Sequence, residues 1–331
     1  MPNPMSDIYN RLAEIGFDRK FVKEHVLPDW WDDELASNGP SRMMAEFDIA
    51  RHLGLKIQDL EDTSAALTLR GVSDFRLKHS KGISPAEVQP AVVVAQRAAH
   101  LVLQCAKPMA QFAGELAAAH ARKTILAANP IVDLRSLVAF CWDSGIAVIH
   151  LDPSHMPQGK KFHGMASFLE ATPVVVLAFG SDSPPWLAFH LAHEIAHIFR
   201  KHVVPGGVCL VDSEIDEVDD DRQEQEANAF ATELLTGDSR FEFPPCAGRL
   251  KDVAKAATEL GEAHHVDPGS VALFYGRATG RWPVAQKVLE LLDEKQGGQS
   301  IIAQALLERL DLEDLPESTE RFLSCLSAQL V

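Results

Sequence analysis

Two histidines four residues apart, with a glutamate beside the first, carry the clearest chemistry in the sequence: His193-Glu194-Ile195-Ala196-His197. On a helix that spacing puts both imidazoles on one face. Two imidazoles so placed can hold one Zn²⁺, and Glu194 then stands where it can take a proton from water at the metal. The plainer alternative is a buried helix with two satisfied histidines. A catalytic zinc also needs a third protein ligand and an open position. Downstream, Glu224-Gln225-Glu226-Ala227-Asn228-Ala229-Phe230-Ala231 reads as a second helix, apolar on the face of Ala227, Phe230, Ala231 and Leu234. Glu224 and Asn228 share a face at i, i+4, so one carboxylate can reach zinc while an amide one turn later supports a zinc-bound histidine from behind.

These helices need a frame. Leu134–Trp142 reads as a short helix closed by Asp143-Ser144-Gly145, and Ile146–Leu151, Gly164–Leu169 and Pro173–Ala178 read as three strands. Ser183, Pro184 and Pro185 then suit a helix start, and Pro205-Gly206-Gly207 its stop. The paired histidines therefore sit on a helix that follows a small sheet. The run Asp219-Asp220-Asp221 lacks the spacing of a calcium loop and is read as a solvated loop capping the next helix.

Outside this core the pattern is helical. Ile8–Ile15 ends at Gly16, and Ala45–Leu53, Gly54 and Ile57–Leu60 have the rhythm of a helix, a turn and a second helix, similar to the first half of the helix-turn-helix of small repressors. Charge argues against DNA reading there. Residues 1–90 hold 11 Lys and Arg against 15 Asp and Glu, and the place of a recognition helix carries Gln58, Asp59, Glu61 and Asp62. The Trp30-Trp31 pair is read as packing on a small core. Ser84-Pro85 opens a long alanine-rich helical stretch that Pro108 and Gly114 divide. After Pro244-Pro245, Leu250–Leu260, Val271–Ala278 and Ile301–Leu310 are helical again, the last either packing on the core or mediating self-association.

The expected fold is α+β and mainly helical, a core with a small three-stranded sheet and the paired-histidine helix between helical N- and C-terminal regions. The expected divisions are 1–84, a helical module; 85–130, a helical connector; 131–240, the core; and 241–331, a helical C-terminal region. The chain has 331 residues, 46% hydrophobic, with a formal net charge of -16, a balance that repels nucleic acid phosphates. Five scattered cysteines, Cys105, Cys141, Cys209, Cys246 and Cys325, form no CxxC pair and indicate neither a disulfide framework nor a thiolate site. No secretory leader and no apolar run of membrane-spanning length is visible, so the expected location is the cytoplasm.

The pair of motifs resembles the ImmA/IrrE metallopeptidases, gluzincin-like enzymes with H-E-x-x-H followed by E-x-x-A-[ND]-x-F-A-x-x-L-L. Here Glu224, Ala227, Asn228, Phe230, Ala231, Leu234 and Leu235 stand in register. The resemblance covers roughly residues 131–280. It implies a zincin-like core, His193, His197 and Glu224 as zinc ligands, and Glu194 as general base, with Glu226 the alternative third ligand. His190, where the family more often has a small or apolar residue, is a departure and is read as packing. His202 lies in the family's usual basic helix end, where a helix-dipole role suffices. Tyr275, His264 and His265 fall in a helical tail that the family folds near the site and are read as structural.

The implied reaction is hydrolysis of a peptide bond in a protein partner, with strand Gly164–Phe168 as the sheet edge aligning an extended substrate. The resemblance points to a helix-turn-helix repressor as that partner, in bacterial stress, mobile-element or toxin–antitoxin regulation. The competing expectation is a regulator that works by binding, a toxin–antitoxin partner or a DNA-binding factor with a vestigial zinc site. A homo-oligomer is compatible with either; a membrane role is not expected.

Overall fold

A computed structural model describes residues 5–69, 74–78, 84–212, 221–245, 248–293, 296–311 and 316–327. The chain opens with α1 (Met5–Glu14), the single turn α2 (Arg19–Phe21), α3 (Gly39–Leu53) and α4 (Ile57–Glu61), followed by β1 (Phe75–Lys78). Gly54 ends α3 in the left-handed region at φ +65°, the stop that a glycine supplies without strain. Two more helices come next, α5 (Pro85–Cys105) and α6 (Ala118–Ala128). Ser84 and Glu87 start α5 with a reciprocal capping pair, Glu87 accepting from the Ser84 backbone N–H at 2.8 Å.

The core then follows as α7 (Leu134–Asp143), β2 (Ala147–His150), β3 (Gly164–Leu169), β4 (Thr172–Leu177), α8 (Pro184–Phe199), β5 (Cys209–Asp212) and α9 (Arg222–Thr236). The C-terminal region is α10 (Leu250–His264), α11 (Pro268–Thr279), α12 (Trp282–Leu291), α13 (Gly298–Arg309) and α14 (Glu317–Leu326). A continuous buried core runs through all these parts, from Met5 in α1 to Leu326 in α14.

Among the described residues the sheet has five strands in the order β1-β5-β3-β4-β2. β2 lies parallel to β4, β3 antiparallel to both β4 and β5, and β1 parallel to β5. Strands β2 and β5 are buried at every residue, as a sheet with helices on its faces requires. The α+β, mainly helical expectation therefore holds, but the sheet is larger than the three strands expected. The two additional strands, β1 and β5, are four residues each and join the sheet by pairing with each other and with β3, contacts that lie far apart in the sequence. One of them, β1, comes from the first 84 residues, which are thus not purely helical.

A second correction concerns β3. It is not a sheet edge: β5 pairs with it over Gly164–Ala166 in the register Gly164↔Asp212, Met165↔Val211 and Ala166↔Leu210. The paired-histidine helix also stops earlier than expected, at Phe199 instead of running to Pro205. Lys201 adopts φ +59° and folds the chain back so that the His202 N–H donates to the His197 carbonyl at 2.8 Å.

Several smaller expectations are settled by packing. Ile302 and Leu306 of α13 are buried against α7, α8 and β2, so this helix serves the core. Trp31 is buried with its indole N–H donating to Asp33 at 3.1 Å, while Trp30 is exposed. Asp221 caps α9 by accepting from the Gln223 N–H; Asp219 and Asp220 lie outside the described residues, as does Cys246. No described helix is long and apolar enough to cross a membrane.

Candidate metal centre

Helices α8 and α9 pack side by side beneath the sheet, and together with the end of β5 they bring five polar side chains close to one another. From α8, His193 and His197 present their Nε2 atoms 3.2 Å apart. From α9, the Glu224 Oε2 lies 3.2 Å from His193 Nε2 and 3.7 Å from His197 Nε2. From the end of β5, the Asp212 Oδ2 lies 3.2 Å and 3.8 Å from the same two nitrogens. One ligand atom from each of these four residues falls within 4.8 Å of the others, and all four side chains are buried. Glu194, fully buried, stands against β3, where Gly164 leaves room for its carboxylate.

Each histidine is held from behind. The His193 Nδ1 meets the Asn228 Oδ1 at 3.0 Å, and the His197 Nδ1 meets the His202 Nδ1 at 3.0 Å. His202 in turn reaches Glu226 Oε2 through its Nε2 at 3.2 Å, and Arg222 holds the other oxygen of Glu226 at 2.8 Å. One set of tautomers satisfies all of these contacts. His193 donates from Nδ1 to the amide oxygen, His197 donates from Nδ1 to His202, and His202 donates from Nε2 to Glu226. Both Nε2 lone pairs at the centre are then left to ligate, the arrangement by which outer partners fix a metal-bound imidazole. Position 202 thus contributes more than a charge at a helix end.

The electrostatics of the cluster follow from three buried carboxylates facing two imidazoles. Burial disfavours charge on His193, but the adjacent Asp212 and Glu224 outweigh it and push the imidazole up to about 9. Burial and the neighbouring charge on His193 push His197 down to about 4, so the pair divides into one charged and one neutral ring. Asp212 is subject to the same burial, yet charge on His193 leaves it below the usual carboxylate range. Glu194 has no such cation beside it: burial, then Asp212 and Glu224, drive it well above that range. The pull of Asp212 and Glu224 on His193 marks the centre as a place that favours positive charge.

A divalent metal ion fits there. The donors are two imidazole nitrogens and carboxylate oxygens, the set that borderline and hard divalent cations take. Both oxygens of Asp212 and both of Glu194 lie buried without a hydrogen bond of sound geometry among the described residues. Burying carboxylates without well-formed hydrogen bonds is costly, and a cation among them removes that cost.

The sequence-predicted residues His193, Glu194, His197 and Glu224 are therefore brought together. Glu226, the alternative ligand, is placed outside, on His202 and Arg222. His190 packs in an aromatic cluster, its ring 4.1 Å from that of Phe179. Tyr275 packs against Phe243, and the His264 Nδ1 lies 3.2 Å from the Thr236 carbonyl oxygen; neither joins the centre. Sequence reasoning missed Asp212. In the sequence it opens an acidic run, residues 212–221, whose positions 213–220 lie outside the described residues; its distinguishing signal is the apolar Cys209-Leu210-Val211 before it.

Supporting contacts set the angle of α9. Arg122 of α6 donates to the Leu234 carbonyl at 3.0 Å, to that of Leu235, and to that of His264, closing the C-terminal ends of α9 and α10. At the other end of α9, Lys78 of β1 pairs with Asp221 and lies 3.5 Å from Glu224 Oε1.

Residues 141–261 match the model of the IrrE N-terminal-like domain, a peptidase family. No curated protein and no solved structure matches the chain. The matched segment begins within α7 and ends within α10, so it contains every side chain that converges on the centre. Over that segment the chain is similar to this peptidase family, which supports its reading as an ImmA/IrrE-type metallopeptidase.

Proposed function

We propose that the protein is a zinc-dependent endopeptidase that cuts a protein partner. The observation that carries this reading is the convergence of His193 Nε2, His197 Nε2 and Glu224 Oε2 beside a buried Glu194 that makes no hydrogen bond of sound geometry among the described residues. Two histidines and a glutamate are a ligand set suited to catalytic zinc. Zinc, when bound, supplies Lewis acidity that polarises the scissile carbonyl and brings water within reach of deprotonation near neutral pH.

The chain's own residues do the rest. Asn228 and His202 hold the two imidazoles in one tautomer and orientation. Glu194 takes the proton from the attacking water at its carboxylate and passes it to the leaving amine. Its burial between α8 and β3 keeps bulk water from competing for that proton.

The proposed substrate class is a helix-turn-helix repressor, with the protein acting in bacterial stress, mobile-element or toxin–antitoxin regulation, as the family relation suggests. The substitution Glu194→Gln keeps shape and removes the base. Wild type and variant should bind zinc in equal stoichiometry by plasma mass spectrometry. Only the wild type should generate new peptide termini when each is incubated with a panel of purified helix-turn-helix repressors. Equal cleavage by the variant would rule out Glu194 as the base and with it this mechanism.

A further inference from the structure

We propose that β5 is a built-in plug of the site: Asp212 is a fourth protein ligand to the metal, and Cys209–Asp212 holds the strand position beside β3 that an extended substrate would take. This rests on the peptidase reading above and adds that the described state is a resting one.

Three observations carry it. The first is position. An extended peptide entering the site needs a strand to pair with next to Glu194, and β3 is that strand, because Gly164 is the residue packed on the Glu194 carboxylate. The place beside Gly164 is already filled by Asp212, antiparallel and in register, with the His163 N–H donating to the Asp212 carbonyl at 2.7 Å.

The second is coordination. Four donors, His193, His197, Glu224 and Asp212, already lie within 4.8 Å of one another. Zinc in structural sites is closed by four protein ligands, whereas catalytic sites keep one position for water or substrate. With Asp212 in place that position is taken. Two neutral imidazoles and two carboxylates also balance a divalent cation fully, which suits a cage with no solvent access.

The third is the latch. β5 is not a free flap, since β1 pairs with its outer side, from Phe75↔Cys209 to Lys78↔Asp212. Lys78 at the end of β1 then pairs with Asp221 and accompanies Gln223 and Glu224 at the start of α9. Displacing Asp212 therefore requires β1, β5 and the N-terminus of α9 to give way together. A substrate or partner that does so opens the metal and the strand position in one movement.

The test uses the full chain loaded with Co²⁺ in place of zinc, titrated with acetohydroxamate, a chelator that needs an open coordination position. Wild type should keep its visible spectrum at hydroxamate concentrations that saturate Asp212→Ala, with an apparent affinity difference of at least about tenfold. Asp212→Asn, which keeps the shape and weakens ligation, should fall between them. A quenched fluorescent peptide should be cut at least about tenfold faster by Asp212→Ala than by wild type. If wild type and Asp212→Ala respond to hydroxamate equally, the plug is overturned, and the wild-type titration alone reports an open site without depending on any variant. If hydroxamate discriminates but neither protein cuts peptide, the plug stands and the peptidase reading falls. Failure of the wild type to bind Co²⁺ stoichiometrically overturns both.

Discussion

Gly164 on β3 and Glu194 on α8 are packed so closely that a Cβ on Gly164 would overlap Glu194 Oε1, with Cδ at 2.5 Å and Cγ at 2.8 Å. β3 and α8 are thereby held at a fixed separation, and the Glu194 carboxylate is fixed in the position that the proposed base requires. Gly164→Ala is expected to push that carboxylate aside. Hydrolysis should fall by about a hundredfold, as misplacement of a reacting group by an ångström brings. Overpacking should also cost about 1–3 kcal/mol in denaturant stability. Metal content should stay at wild-type stoichiometry, since the three atoms nearest the added methyl all belong to Glu194, which is not among the proposed ligands. Undiminished turnover in this variant would mean that Glu194 has room to move and does not act where it is seen.

Glu224 and Glu226 are two residues apart on α9 and have opposite surroundings. Glu224 is fully buried in the cluster, and Glu226 sits outside it, bonded to His202 and Arg222. In a competition titration against a chromophoric chelator, Glu226→Ala should weaken metal binding by about 10–100-fold, the range for losing an outer partner. Glu224→Ala should lose more than that. The reverse order would make Glu226 the ligand and require α9 to rotate.

Arg122 is buried and its guanidinium ties three helices. Arg122→Met leaves the carbonyls of Leu234, Leu235 and His264 without their donor in a buried setting. Each such loss costs about 1–3 kcal/mol, and relaxation of the helix ends makes about 3 kcal/mol the expected total. Arg122→Lys should recover little of it, because one ammonium cannot reproduce the planar fork. Chemical denaturation followed by circular dichroism measures both; two stable variants would show that water satisfies those helix ends.

His52 makes acid stability predictable in sign. It is fully buried on α3, its ring stacked on Phe322 of α14 at 4.6 Å and 5°, with Nδ1 3.1 Å from the Val26 carbonyl oxygen. Burial pushes it down to about 3 from an ordinary 6.5. Between those values the unfolded chain binds a proton that the folded chain refuses, so folded stability rises with pH. The contribution is complete above about pH 6.5 and is lost as the pH falls towards 3, amounting to about 3 kcal/mol by pH 4. His52→Gln should flatten that part of the stability–pH curve, measured by urea unfolding between pH 4 and 7. An unchanged slope would mean that His52 is protonated in the folded state.

What the sequence determined by itself is the local chemistry. The i, i+4 spacing of His193 and His197 and of Glu224 and Asn228 fixes which side chains share a helix face, because helical periodicity is a property of the chain alone. Helix stops such as Gly54 and the separation of β2, β3 and β4 were legible for the same reason: caps, turns and apolar runs act over a few residues. Tertiary structure decided what depends on partners far along the chain. The pairing of residues 75–78 with 209–212 made a fifth strand and moved β3 from edge to interior. It also carried Asp212 to within 3.2 Å of His193, and α9 turned Glu224 inward while leaving Glu226 on His202. The place of β5 beside β3 is set by hydrogen bonds and burial in the assembled sheet, which no local pattern encodes. The sequence held the two histidines, Glu194 and Glu224; only the fold placed a third carboxylate, Asp212, among them.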